Sequence, residues 1–407
     1  MACYTSRSSA LRTLVLALAY PNRASYYDDW RDAFQSSPSF DCRVENVLNT
    51  SPHLLARLVD EFDVIIMLHS CNSDTLDYFA PIAPVLGQRK RAKLLSFVGN
   101  EYNSPYISLL EKVALFAQAR CDVVATQLLA EAGELLYGGH GYRVISVPHA
   151  LNPAAFKPGP GHDSRALDIG VKGYRYPAYL GDDDRNRMIE LFIDASPRWG
   201  LKVDISEDRR LHRSQWADFL ANSRGTISTE TGSWYLEPDD KRIGRIRAYL
   251  EERRSGFVIS SDSLVRKLAR RLPSPVKAAL WQLLKKGPVK VDVLDDLNIP
   301  FAELYELFFR DAERARAYGK AISSRHFDAI GTKTCLIMQK GRYNDILVPD
   351  VHYIAIDPDH GNADQAIERF KDPIERGRIV DAAFEHVMSD HTYHHRAEQV
   401  RSALEGV

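Results

Sequence analysis

From residue 11 onward the chain alternates short, near-continuous apolar runs with amphipathic runs of helical period, and few folds tolerate that pattern. Residues 11–19, 40–48, 63–69, 94–99, 122–126 and 142–147 read as strands rich in Val, Ile and Leu. Helical runs separate them, such as 24–35 and the run that Ser51-Pro52 opens, with proline at the favoured first position. Strands without polar alternation are buried on both faces. Helices must then cover both faces of a parallel sheet.

The texture breaks at Pro153, Pro158, Gly159 and Pro160, which mark residues 153–160 as a linker. It then resumes. Strands are expected at 166–171, 201–206, 225–231, 335–338 and 351–356, and helices at 182–195, 214–222, 301–320, 363–370 and in one long run, 374–404. Asp182, Asp183 and Asp184 open the first of these helices, where acids suit the helix dipole. Two α/β units follow from this: 1–152, and 161–385 with an insert at 239–299. Within the insert, residues 263–290 carry eight Lys or Arg and no acid, interleaved with leucines. That is the texture of a segment lying on an anionic membrane surface, or of a basic face packed by its leucines.

Bulk properties exclude several classes. The 407 residues carry a net charge of −1, so nucleic acid is not an expected partner. No run reaches the length that spans a bilayer. The apolar run 14–19 lacks a cleavage pattern after it and reads as a first strand, not a signal peptide. Five scattered cysteines, Cys3, Cys42, Cys71, Cys121 and Cys335, form no CxxC and read as reduced thiols. The expected location is the cytoplasm, with contact at the inner membrane face if the basic segment lies there.

Ligands of open parallel sheets bind beyond the carboxyl ends of the strands. In the first unit those positions hold His69, Glu101 and His149, candidates to touch a substrate. In the second they hold Lys172 and Arg175 in a turn, and Glu230 beside Thr231, Gly232 and Ser233. The stretch Ser323-Ser324-Arg325-His326-Phe327-Asp328 is the most informative. Two hydroxyls at an N-cap position, with Arg325 next, would aim N–H groups and a guanidinium at one spot, which suits a phosphate. Asp328 lies one turn on and could accept from sugar hydroxyls. A nucleotide sugar carries both groups. The same residues also make a capped helix with a surface Arg–Asp pair. His391, His394 and His395 lack the convergent set that a zinc site needs, so no metal is expected.

Arg325-His326-Phe327-Asp328-Ala329, then Gly331-Thr332 and the apolar strand from Cys335, resembles the "R-x-F-E-A … G-T" signature of group-1-type glycosyltransferases. The ending His391-Thr392-Tyr393-His394-His395-Arg396-Ala397 is similar to the "H-T-Y-x-x-R-A" close of their CgeB-like, spore-maturation branch, found in bacterial polysaccharide clusters. Pro148 to Phe156 resembles the hinge strand of the same enzymes. The resemblance implies a GT-B fold, two Rossmann-like domains facing across a cleft, with a C-terminal helix, 386–407, returning to the first. It implies a metal-independent, retaining transfer of a sugar from a nucleotide diphosphate to a glycan or lipid-linked acceptor, with no cofactor. The donor would meet Lys172, Arg175, Glu230, Ser323, Ser324, Arg325, His326 and Asp328. Asp328 stands where the family has a ribose-binding Glu, and Ala150 where the hinge has Gly. Two rivals share the fold: a nucleotide-sugar epimerase, and a degenerate scaffold that binds a nucleotide sugar without turnover.

Overall fold

The apolar runs form two parallel sheets in a computed structural model that describes residues 10–19, 26–173, 175–206, 211–253 and 299–406. In the first sheet the strands are β1 (Leu11–Ala17), β2 (Phe40–Asn46), β3 (Val64–Met67), β4 (Lys93–Phe97), β5 (Val123–Thr126) and β6 (Arg143–Ser146). Their order is β2-β1-β3-β4-β5-β6, every pair parallel. β3 is buried along its whole length, as a strand covered on both faces should be. The chain winds one way from β1 to β2 and the other way from β3 onward. The β1/β3 boundary is therefore the switch point where such sheets open a crevice.

The second sheet repeats the plan. It comprises β7 (Leu167–Lys172), β8 (Val203–Ser206), β9 (Ser223–Ser228), β12 (Cys335–Gln339) and β13 (Ile354–Ile356), in the order β13-β12-β9-β7-β8, again all parallel. Its switch point lies between β7 and β9. The architecture is the expected α/β arrangement of two Rossmann-like sheets, and their carboxyl edges face each other. Asn344, after β12, donates to the backbone of Gln127, after β5, at 2.9 Å. Arg342 pairs with Glu131 at 3.0 Å. On the other side Arg213 pairs with Asp29 at 2.8 Å and Asp32 at 2.9 Å.

Three expected elements differ. The helix expected over 301–320 spans only Phe301–Phe308. Beyond it the chain turns back, and Lys320–Ala321 (β11) pairs antiparallel with Thr231–Gly232 (β10). Gly232 makes this possible with φ of 116°, a value that side chains rarely adopt. The strand expected to reach residue 231 accordingly ends at Ser228. The long run 374–404 is two helices, Pro373–Asp390 and Tyr393–Glu405. Leu151 enters the break: its N–H donates to His391 and its carbonyl accepts from Tyr393, both at 2.9 Å. Thr392 caps the second helix, and the Nδ1 of His395 accepts the Thr392 N–H at 3.2 Å. That last helix packs on the first sheet, where Tyr393, Ala397, Val400 and Leu404 join Val15, Trp30, Phe34 and Phe97 in one core. The basic segment 263–290 lies outside the described residues. No helix among the described residues is long and apolar enough to cross a membrane.

Candidate active site

The helix that carries the expected donor residues spans Ser324–Gly331, and its burial shows which way it points. Every residue in it is buried except Arg325. Ser323 caps it, and His326 returns the bond: its Nδ1 accepts the Ser323 N–H at 2.9 Å. An accepting Nδ1 leaves the ring proton on Nε2, so His326 is neutral. Burial and the nearby Arg185 and Arg325 push it down to about 3. It serves as a cap rather than as a cation for a ligand.

Arg325 lies against Gly173, just past the carboxyl end of β7. A Cβ built on Gly173 would sit 2.6 Å from Arg325 Nη1 and 2.6 Å from Arg185 Nη2. Two guanidinium groups thus converge where a helix N-terminus and a strand end meet, a place that attracts anions. Arg185 lies in the first turn of the helix Asp184–Trp199, over the ring of Tyr176 at 5.2 Å. Sequence reasoning missed it, because the acids before it were read only as a cap. Asp182 and Asp184 in fact hold the buried Lys320, with Asp184 at 2.6 Å.

The other expected donor residues point elsewhere. Lys172 pairs with Asp204 at 2.5 Å and donates to Ser206 at 2.8 Å, on the neighbouring strand β8. Arg175 pairs with Glu190 on the helix behind it. Glu230 is buried and clamps a turn: one carboxylate oxygen accepts the Tyr343 N–H at 2.6 Å and the other accepts the Tyr318 hydroxyl. That turn is left-handed at three successive residues, Tyr343, Asn344 and Asp345, with φ of 46°, 55° and 59°. Such backbone persists only where its surroundings hold it. Asp328 is buried at the seam between the sheets and accepts from Trp216 Nε1 at 3.0 Å. Burial, and then the carboxylate of Asp29 across the seam, hold its carboxyl well above the usual range.

On the first sheet, His69 begins a one-turn segment at the carboxyl end of β3, beside the switch point. Its ring is fully buried, stacked 4.6 Å from Phe97, 5.7 Å from Tyr27 and 5.7 Å from His149, and tilted 5.3 Å from Trp30. Neither ring nitrogen of His69 has a hydrogen-bond partner among the described residues. Burial and His149 push its pKa well down. The Nδ1 of His149 accepts from Trp30 Nε1 at 3.2 Å and lies 3.2 Å from the Tyr393 hydroxyl. Burial and Arg396 lower His149 to about 3. The structure thus brings His69 and His149 together, and separates them from Glu101. Glu101 accepts from Thr126 and, at 2.6 Å, from the Gln127 N–H. Burial raises it to about 7 against these bonds and the nearby Lys112. Of the three it alone titrates near neutrality.

Residues 301–402, which include the Ser324–Gly331 helix, match the family model described as glycosyl transferase-like. None of the curated proteins matches the chain. Among solved structures, the chain is similar to Anabaena HepE in complex with UDP and glucose, at 12% identity over 98% of this chain and 100% of that one, TM-score 0.49. An α-glucosyltransferase in complex with UDP and a mismatched 13-mer DNA is similar at 10% identity over 97% and 99%, TM-score 0.49. A glycosyltransferase from Rickettsia africae is similar at 10% identity over 97% and 98%, TM-score 0.48. These are likenesses of overall shape at low identity, and they carry nothing about individual residues.

Proposed function

We propose that this chain is a metal-independent GT-B glycosyltransferase of CgeB-like type, moving a sugar from a nucleotide diphosphate to a glycan or lipid-linked acceptor. One observation carries the reading. Arg325 is the one residue of the Ser324–Gly331 helix that is not buried, at its N-terminal turn and beside a second guanidinium at the carboxyl end of β7. Helix N–H groups and guanidiniums there would stabilise a departing nucleoside diphosphate without a metal ion. The match of 301–402 to a glycosyl transferase-like model supports the same reading.

In this mechanism residues 1–152 hold the acceptor and residues 161–385 the donor. Glu101 accepts the acceptor hydroxyl's proton, its pKa of about 7 being suited to that role near neutral pH. His69 and His149, sealed beneath the same edge, touch neither sugar, and the leaving diphosphate rests against Arg325. The transfer is retaining, as the family resemblance implies. Asp328 holds the ribose from beside Trp216. The protein acts in polysaccharide assembly at the cytoplasmic membrane face, which the basic segment 263–290 touches.

Calorimetry against UDP-, GDP- and dTDP-sugars without added metal tests this. One nucleotide sugar is expected to bind, and Arg325→Ala and Asp328→Asn to weaken it about tenfold or more, the scale of a lost charge-assisted contact. If nothing in the panel binds wild-type protein, the donor reading is wrong. Both oxygens of Glu101 and of Glu230, and one of Asp328, are committed to internal bonds, which favours a second reading, a nucleotide-sugar-binding scaffold. Binding with no transfer to any acceptor would select it.

A further inference from the structure

We propose that Lys112 and Asn103 are positioning residues for Glu101: Lys112 pins the loop that carries Glu101 from inside the first unit, and Asn103 ties that loop to a segment of the second. Glu101 is then set for proton transfer only while the two units are docked. This rests on the base reading above and deepens it.

The loop, residues 99–108, leaves β4 at the carboxyl edge of the first sheet, and its start is tight. A Cβ on Gly99 would meet the Ser73 Cβ at 2.3 Å and the His69 carbonyl at 2.8 Å. Asn100 is left-handed, with φ of 51°, and its side chain donates to the Ser73 carbonyl at 3.0 Å and to Asp74 at 3.2 Å. A conformation of that kind has to be held from outside. Glu101 is the next residue. Lys112, in the first turn of the helix Leu109–Gln118, is buried, and its Nζ donates to the Gly99 carbonyl at 2.7 Å. Among the described residues that carbonyl is its one hydrogen-bond partner, and it has no ion pair. A buried ammonium with so little compensation is costly. The fold keeps it two residues from Glu101. Burial lowers Lys112 to about 8, against the pull of the Glu101, Asp240 and Asp74 carboxylates. Its charge in turn acts to lower Glu101.

The far end of the loop is held by the second unit. Asn103 Nδ2 donates to the Glu237 carbonyl at 2.8 Å and to Asp240 Oδ1 at 3.0 Å, and Asn103 Oδ1 accepts the Glu237 N–H at 3.0 Å. The other oxygen of Asp240 accepts the Ser108 hydroxyl at 3.1 Å and the Leu110 N–H at 3.2 Å. Asp240 thus caps, from the second unit, the helix that carries Lys112. Arg247, in the helix Lys241–Glu252, donates to the Pro105 carbonyl at 2.5 Å. Glu101 therefore lies between two holds, one from each unit, and both converge on the helix Leu109–Gln118. The charged and titratable groups around it are Lys112 and the buried Tyr137, with Asp74 and Asp240 acting on Lys112.

The test follows the Glu101 carboxyl itself, in the full chain with ¹³C at glutamate side-chain carboxyls, using Glu101→Gln to assign the signal. The wild-type signal should titrate near 7. Lys112→Met removes the nearby cation, so the midpoint should move to higher pH. Transfer at pH 7 should then fall about fivefold, as for a rise of about one pH unit. Asn103→Ala and Asp240→Gly each let water reach the loop, so each should move the midpoint down toward the ordinary 4.5. Glycine suits Asp240, whose φ is 53°. The double variant should move it no further than either alone, because both cut the same link. Mere loosening would move every variant downward, so the opposite shifts identify positioning. The proposal is overturned if Lys112→Met titrates at or below wild type. It is also overturned if Asn103→Ala and Asp240→Gly, both melting as folded proteins, titrate as wild type does. Asp240 lies outside the first unit's core, so Asp240→Gly decides the matter even if Lys112→Met does not fold. Expected shifts in the signal with a pH–rate profile that ignores them would keep the positioning and sink the base reading.

Discussion

The two carboxyl edges that face each other are built from opposite chemistry. On the first sheet the polar groups are sealed: His69 within an aromatic cage, His149 beneath Trp30 and Tyr393, and Glu101 behind Thr126 and Gln127. On the second sheet the buried polar groups are spent on caps and clamps, and the guanidiniums of Arg185 and Arg325, neither fully buried, come together beside Gly173. The physical reason is desolvation. An imidazole escapes the cost of burial by losing its proton, and a carboxyl by gaining one, whereas a guanidinium stays charged and must keep water or an anion within reach. On the function proposed above, the first edge moves a proton and the second holds a polyanion.

The largest expected effect breaks or keeps that division. Glu101→Gln removes the carboxyl on the first edge that titrates near neutrality, without changing its size. Transfer activity should fall by about 10²- to 10⁴-fold, the usual scale for losing a general base. Binding of the donor should be unchanged. In wild type the activity should rise with pH through about 7, as Glu101 loses its proton. The sign for stability is the reverse. A carboxyl whose pKa is raised by folding contributes stability below its unfolded value near 4.5, and that contribution is lost as pH rises through about 7. Steady-state rates and calorimetry on the same variant check both. A parallel loss of donor affinity would merge the two edges into one.

Much of this contrast could be read from the sequence, and the rest was hidden for one reason. Strands such as β3 are legible because burial on both faces leaves an unbroken apolar run. Arg325 is legible because capping hydroxyls, the helix start and the cation are contiguous. The partners of Lys172 and Arg175 were hidden because the acids that pair with them, Asp204 and Glu190, come from a neighbouring strand and a helix. Arg185 was missed for the converse reason: nothing local shows that its Asp neighbour is taken by Lys320, far along the chain. The false helix over 301–320 has the same origin. Helical period continues past Phe308, but the pairing of β10 with β11 recruits Lys320 and Ala321 into a ladder.

A middle-sized effect probes the histidines shared by the two edges. His149 and His326 both fall to about 3 in the folded protein, against 6.5 when exposed. A base whose pKa is lowered by folding gives stability that is full above 6.5 and is lost as pH falls from there toward 3. Each such group should add a slope of about 1.4 kcal/mol per pH unit in that window. His326→Gln keeps an acceptor for the Ser323 N–H but removes the proton uptake. Denaturant unfolding between pH 6.5 and 5 should therefore show a slope shallower by about that amount. An unchanged slope would mean that His326 is protonated in the folded state, and the neutral cap would be wrong.

The smallest effects separate the two contacts that join the edges. Arg342 and Glu131 pair across the cleft with side chains about half exposed, at 41% and 47%. Exposed pairs contribute about 0–1 kcal/mol, and Arg342 keeps Asp345 as a second partner. Glu131→Ala should change stability by less than about 1 kcal/mol. Asn344 is different. Its side chain accepts from the Ile322 N–H at 2.7 Å and donates to the Gln127 carbonyl at 2.9 Å. Gln127 in turn donates its N–H to Glu101. Asn344→Gly tolerates the left-handed backbone and removes both bonds, so the cost should be about 1–3 kcal/mol. Because the chain of bonds ends on Glu101, Asn344→Gly should also shift the pH midpoint of activity while Glu131→Ala leaves it alone. Equal and negligible shifts from both would mean that the two edges work without a polar link, each pre-set by its own sheet.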